Sequence, residues 1–205
     1  MRQRRKPWAL PYLLEQANVK AIRSDNLPLL KIKKGTCLEI GVGKGDFINQ
    51  LAQLNPRVNY IGVEIQPSVL AVAVKKTNDQ NIINVEYILG DASYLDQVLP
   101  SSKLKKIFIN FPDPWPKARH EKRRLTYKTM LDKYYKILDS DGEIIVKTDN
   151  GDLYRYSLES FVENGYIIIT KSDDYQLEKD DVATEYEKKF RNKGLKIHRI
   201  VAKKR

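Results

Sequence analysis

The sequence predicts an α/β fold, a mostly parallel sheet with helices on both faces, and three observations carry that expectation. Short β-branched or apolar runs alternate with longer stretches of helical spacing, as they do when helices cover a parallel sheet. Three of the runs lead into glycine and carboxylate pairs, in Glu39-Ile-Gly-Val-Gly-Lys-Gly45, Gly62-Val-Glu64 and Gly90-Asp91. The 205 residues suffice for one such domain and are too few for two ordinary domains with a linker.

In chain order, a basic arm, Met1–Lys6, precedes a lead-in with helical tendency around Tyr12–Ile22. Residues 1–35 are read as arm and lead-in helix, and residues 36–205 as the main domain. Strands are expected at Cys37–Ile40, Asn59–Val63, Val85–Leu89, Lys106–Phe111 and Glu143–Lys147. Helices are expected near Asp46–Leu54, Pro67–Thr77, Tyr127–Leu138 and Leu153–Glu163. Pro67 suits a first helical turn, after which Val69, Leu70, Ala73 and Val74 share one face. Tyr166–Thr170 and Leu195–Ala202 are strand-like with no strong helix between them, which predicts an antiparallel, hairpin-like edge.

Thirty-seven Lys and Arg against 26 Asp and Glu leave a net charge of +11, which points to a polyanionic partner because counterion release favours nucleic-acid binding. No apolar h-region follows the basic arm and no 18-residue apolar run occurs, so neither a signal peptide nor a membrane span is expected. Cys37 is the one cysteine, and with His120 and His198 the only histidines no metal cluster is expected. A reducing, cytoplasmic setting follows.

The glycines at 41, 43 and 45 let the backbone turn sharply and approach a ligand. The third comes one residue early for the dinucleotide fingerprint and acidic Glu39 precedes the loop, which disfavours NAD. Glu64 stands where a carboxylate can take both hydroxyls of a ribose. Asp91 can hold an adenine amino group. Together these strand ends resemble a class I S-adenosylmethionine-dependent methyltransferase. That resemblance implies a Rossmann-like, mostly parallel seven-stranded sheet with an antiparallel last strand. It also implies a glycine loop, with Gly41, beside the methionine part of the cofactor, and cofactor roles for Glu39, Glu64 and Asp91.

The run Ile107-Phe-Ile109 ends in Asn110-Phe-Pro-Asp-Pro-Trp-Pro-Lys117. Three prolines stiffen this loop and bias Phe111, Asp113 and Trp115 toward extended backbone. The loop resembles the Pro-Asp-Pro-Trp signature of the bacterial tRNA (guanine-N7)-methyltransferases. The likeness also takes in Lys117-Ala-Arg-His-Glu-Lys-Arg-Arg124, Val146-Lys-Thr-Asp149 and Ala183-Thr-Glu-Tyr-Glu187. It implies Asp113 as the catalytic acid beside the cofactor, with Lys117, Asp149, Thr184, Glu185, Tyr186 and Glu187 contacting substrate. Arg119, His120, Glu121, Lys122, Arg123 and Arg124 would meet RNA, and the target would be guanine 46 of the tRNA variable loop. No metal is implied, and the assembly is monomer or homodimer.

Guanine N7 carries a lone pair and no proton, so its methylation needs no general base and gives a cationic ring. A carboxylate at Asp113 can orient the base and offset that charge. Trp115 can stack on a base or wall the pocket. Two rival readings are an amino methyltransferase acting on adenine or cytosine and a non-catalytic RNA-binding module. Phe111 and Asp113 interrupt the Asn-to-Pro-Pro spacing of the first, and three retained cofactor carboxylates sit poorly with the second.

Overall fold

The computed structural model describes residues 5–101, 103–178 and 181–205. Of the basic arm, Met1–Arg4 lie outside the described residues. In chain order the elements are α1 (Ala9–Glu15), β1 (Val19–Ala21), β2 (Thr36–Ile40), α2 (Asp46–Leu54), β3 (Tyr60–Glu64), α3 (Pro67–Asp79) and β4 (Val85–Leu89). After these come α4 (Leu95–Val98), β5 (Leu104–Asn110), α5 (Lys128–Ile137), β6 (Leu138–Thr148), α6 (Gly151–Glu163), β7 (Tyr166–Ser172), α7 (Glu185–Arg191) and β8 (His198–Lys204).

One sheet in the order β1-β4-β3-β2-β5-β6-β8-β7 runs through the molecule. Among the described residues it has eight strands where seven were expected. The extra strand comes from the lead-in: α1 stops at Glu15, and Val19–Ala21 then pairs in parallel with Tyr87–Leu89 at the sheet edge. A helix over Tyr12–Ile22 is therefore corrected to a short helix followed by a strand. Open backbone on β4 decided this, a partner the local sequence does not reveal. Ala9, Leu13 and Val19 are buried in the same core as α2 and α3.

From β2 the chain adds β3 and β4 on one side, then returns to add β5 and β6 on the other. The order reverses between β2 and β5, and such a switch point opens a crevice at the carboxyl ends of the strands. β8 runs antiparallel to both β6 and β7, between which it is inserted. The edge expected from the last two strands is thus antiparallel, as the sequence suggested. The expectation of no strong helix between them fails: α7 lies there, started by Thr184, whose Oγ1 accepts from the Glu187 N–H at 2.9 Å.

Side chains alternate across the strands and divide the core in two. Leu38 and Ile40 of β2, Ile107 and Ile109 of β5, and Ile144 and Val146 of β6 pack on the face covered by α5 and α6. Cys37, Phe108 and Ile145 pack on the face covered by α2 and α3. Glu39 and Lys147 share that second face by the same alternation, so two charged side chains project where the pattern calls for apolar ones. At Gly45 the backbone is left-handed, φ +81°, and a Cβ would lie 2.8 Å from the Ala73 Cβ. Glycine here lets α2 start directly beneath the loop and against α3.

Candidate active site

Two cavities open at the switch point and share Gly41, Asn110 and Phe111 as a common wall. The larger, of about 420 Å³, is lined by Glu64, Ile65, Asp91, Asp113, Trp115 and Arg123 among others. The smaller, of about 260 Å³, is lined by Glu39, Lys44, Asp46, Thr184, Glu185, Tyr186 and Lys189. Glu39, Glu64, Asp91, Asp113 and Gly41, named from sequence, therefore meet around one cleft. Of the substrate set, Thr184, Glu185 and Tyr186 join them.

In the larger cavity the carboxylates are braced by backbone. Glu64 accepts from the Gly43 N–H at 3.3 Å and from the Gln66 N–H at 2.9 Å, tying the glycine loop to the turn before α3. Burial raises its pKa, the two backbone bonds oppose the rise, and the nearby charge of Asp113 adds to it. Asp91 Oδ1 accepts from the Ser93 N–H at 2.7 Å, capping a single 3₁₀ turn at Ala92–Tyr94. Ile65, 56% exposed, offers an apolar surface between these acids.

In the smaller cavity Glu39 is 3% exposed, and its Oε1 accepts from Asn110 Nδ2 at 3.0 Å. Its Oε2 and the Asn110 Oδ1 are buried without a hydrogen-bond partner among the described residues. Burial pushes the Glu39 pKa up to about 8; the Asn110 bond pulls it down, and the charges of Glu64 and Asp46 push it further up. Two buried oxygens without partners carry a free-energy cost that a bound cationic donor would remove.

The loop Asn110–Lys117, expected from its resemblance to be the reaction loop, departs from the backbone expected for it. Phe111 has φ +50° and Trp115 φ +43°, so two residues preceding proline are left-handed rather than extended. Tertiary contacts hold both. The Phe111 N–H donates to the Lys147 carbonyl at 2.8 Å, and its ring lies 6.4 Å from Tyr186 and 5.9 Å from Phe190. Arg124 donates from Nε to the Pro114 carbonyl at 3.2 Å and from Nη2 to the Trp115 carbonyl at 3.1 Å, while its guanidinium lies 4.2 Å from the Tyr156 ring. Strain of this kind persists where the surroundings over-determine it, and it concentrates at functional sites.

The basic run forms a 3₁₀ segment, Ala118–Arg123, opened by Lys117. Lys117, Arg119 and Lys122 are exposed, while His120 and Glu121 are half-buried. Arg123 lies over the Trp115 ring at 4.8 Å, and His120 meets that ring edge-on at 5.6 Å. Trp115 is thereby both a wall of the cavity and a platform for Arg123. Arg124 points into the loop it braces. Asp149 is exposed at the carboxyl end of β6, outside both cavity walls.

Glu187 is the predicted substrate contact that the fold turns away: it is fully buried and bonded to Lys147 at 3.2 Å and Arg191 at 2.6 Å. Reading the sequence as a polar loop missed this, because helix α7 points every fourth residue inward. It also missed Asn110, Lys147 and Asp181. A signal existed for Lys147, a cation closing the apolar run Ile144-Ile-Val146 at a position where strand alternation demands burial. Among the described residues no group of three or more His, Cys, Asp or Glu could hold a metal ion, and no helix is long and apolar enough to cross a membrane.

Solved structures share the fold. A SAM-dependent methyltransferase from Aquifex aeolicus superposes with a TM-score of 0.60 at 14% identity, covering 84% of each chain. A 30S ribosomal A1408 methyltransferase from an uncultured bacterium gives 0.59 at 18% identity over 84% of this chain and 89% of that one. With this sheet order and a cleft at the switch point, the molecule is a class I, S-adenosylmethionine-dependent methyltransferase. The family model Methyltransf_4, described as "Putative methyltransferase", matches residues 33–200. The tRNA (guanine-N(7)-)-methyltransferase of Bacillus subtilis is 41% identical over 209 residues, covering 97% of this chain and 97% of that protein. Its counterparts in Oceanobacillus iheyensis, at 41% over 98% of both chains, and Streptococcus mutans, at 47% over 81% of this chain and 80% of that one, agree. The chain belongs to the tRNA (guanine-N(7)-)-methyltransferase family.

Proposed function

We propose that this chain transfers a methyl group from S-adenosylmethionine to N7 of a guanine in tRNA, at position 46 of the variable loop. The observation that carries the reading is Asp113, presented by the Pro-Asp-Pro-Trp loop to the same cavity that Glu64 and Asp91 line. Full-length relatives bearing that activity in their names support it.

When bound, S-adenosylmethionine supplies an electrophilic methyl on its sulfonium. The chain's own residues fit such a group. Glu64 would accept from ribose hydroxyls and Asp91 from the adenine amino group, with Ile65 as the apolar wall. Glu39 and Asn110 would hold the ammonium of the amino-acid end with the two oxygens they leave without partners. Gly41, between the cavities, has no Cβ to obstruct the link between the two ends.

Asp113 would orient the guanine through its N1 and N2 donors and offset the positive charge the ring acquires, with no proton to remove from N7. Lys117, Asp149, Thr184, Glu185 and Tyr186 are assigned to the incoming nucleoside and its phosphates, and Glu187 to holding α7 from behind. Exposed Arg119 and Lys122 suit RNA phosphates, and Arg123 on Trp115 suits a stacked base. A tRNA substrate assigns the work to the cytoplasm.

The test is to incubate the protein with unmodified tRNA and labelled cofactor, digest the RNA and identify the labelled nucleoside. N7-methylguanosine is expected, lost when guanine 46 is replaced. Label in N6-methyladenosine, or none at all, overturns the reading.

A further inference from the structure

We propose that Lys147 is a positioning residue that sets the spacing between the reaction loop and α7 across the two cavities, and thereby the rate of methyl transfer. Its effect on rate rests on the function proposed above; its effect on α7 does not.

The side chain is 1% exposed, and its ammonium lies 2.6 Å from Asp181 Oδ2, 3.2 Å from Glu187 Oε2 and 3.3 Å from the Val182 carbonyl. Glu187 Oε1 in turn accepts from Arg191 Nε at 3.1 Å and Nη2 at 2.6 Å, and Nη2 also donates to the Tyr175 carbonyl at 2.7 Å. The Tyr175 hydroxyl closes the ring by donating to Asp181 Oδ2 at 2.7 Å. Every member but Lys147 belongs to the segment from Tyr175 to Arg191. Lys147 is the member that belongs to the sheet.

Its main chain does a second job. The Lys147 carbonyl accepts from the N–H of Phe111, the left-handed residue that opens the reaction loop and stacks on Tyr186. The ammonium also lies 5.9 Å from the ring of Phe47, in the first turn of α2 after the glycine loop. One residue thus touches the glycine-loop helix, the reaction loop and the segment that walls the smaller cavity.

A buried ion cluster does little for stability compared with apolar groups of the same size, and its best-attested benefit is fixed geometry. Geometry is what this segment lacks on its own: α7 has seven residues, too few to be stable unaided. Apolar packing alone leaves a helix free to slide or turn, whereas directional bonds from Lys147 to Asp181, Val182 and Glu187 select one placement of Thr184 and Tyr186.

The test compares wild type, Asp181→Asn, and the triple variant Lys147→Met, Asp181→Asn, Glu187→Gln, in which the pairs are neutralised together. Folding is checked by circular dichroism; kcat, both KM values and hydrogen exchange of the amides from 181 to 191 are then measured. The triple variant should melt cooperatively yet lose about 10–100-fold in kcat, since misplacement of about 1 Å far from the chemistry costs up to about 100-fold. Its KM values should move much less, and α7 amides should exchange faster while those of β2 to β5 do not. Asp181→Asn should show the same pattern more weakly. Retention of wild-type kcat together with unchanged α7 protection, in either variant, overturns the proposal. Should the triple variant not fold, Asp181→Asn decides by the same readouts. Wild type that makes no N7-methylguanosine sinks the functional reading, and the exchange data still decide whether Lys147 places α7.

Discussion

In the larger cavity Glu64 and Asp91 already accept hydrogen bonds from main-chain N–H groups, whereas in the smaller one Glu39 is buried with one oxygen lacking a partner beside an equally orphaned Asn110 oxygen. The first arrangement suits neutral donors such as hydroxyls and amines, because the main-chain bonds keep the acids aimed whether or not a ligand is present. The second is unfavourable until a cation arrives. In the reading proposed above, a ligand with a nucleoside at one end and an ammonium at the other would meet a preset grip at the first and a relief of buried polarity at the second.

Four perturbations would sharpen or break this contrast. Asp113, by the role proposed for it, would serve the reaction rather than either grip, so in Asp113→Ala single-turnover methyl transfer should fall by about 100-fold or more while the cofactor Kd moves less than about threefold. Equal losses of turnover and cofactor affinity would remove the division of roles. Glu64→Ala should weaken cofactor binding by about 10–100-fold in calorimetry, the scale of losing a charged, two-point hydrogen-bonding partner, with turnover at saturating cofactor less affected. Near-normal affinity in that variant would mean the larger cavity does not hold the ribose.

The third concerns pH. Glu39, held up to about 8 chiefly by burial, is protonated at neutral pH until a cation displaces the proton. Cofactor affinity should therefore rise as pH goes from about 7 toward about 8, with a proton released on binding, and fall again once the ligand's own ammonium loses its proton. Glu39→Gln should flatten the profile. A profile that stays steep in that variant assigns the dependence elsewhere. Stability should follow the opposite sign: a folded value above the usual 4.5 means that the contribution of Glu39 is complete below about 4.5 and is lost as pH rises through about 8. The smallest effect is expected at Arg124, which braces the loop carbonyls of Pro114 and Trp115. Arg124→Ala should lower kcat severalfold and leave the salt dependence of tRNA binding unchanged, whereas Lys122→Ala should reduce that slope by about one unit. A reduced slope in Arg124→Ala would make it a phosphate contact after all.

Legibility followed the range of the interactions. Val85–Leu89 and the start of α3 at Pro67 were readable because alternation and Pro at a helix start are properties of neighbouring residues. The cleft was readable because acids and glycines at strand ends converge whenever the strands are parallel and share an edge. β1, only three residues long, was not, since its reason for being a strand is the free edge of β4. Nor were the left-handed Phe111 and Trp115: the local rule for residues before proline points the other way, and contacts with Lys147, Tyr186 and Arg124 overrule it.

By itself, then, the sequence determined the parallel α/β scaffold, the glycine turn and the set of acids and basic residues gathered at one edge, because periodicity and turn chemistry act over a few residues. Which acid lies dry, which glutamate faces inward and which arginine serves the loop were decided only by tertiary structure. Asn110 reaches Glu39 across 71 residues and Lys147 reaches Glu187 across 40. Burial and hydrogen-bond partnership, which set the charge and aim of each side chain, are made by those distant neighbours.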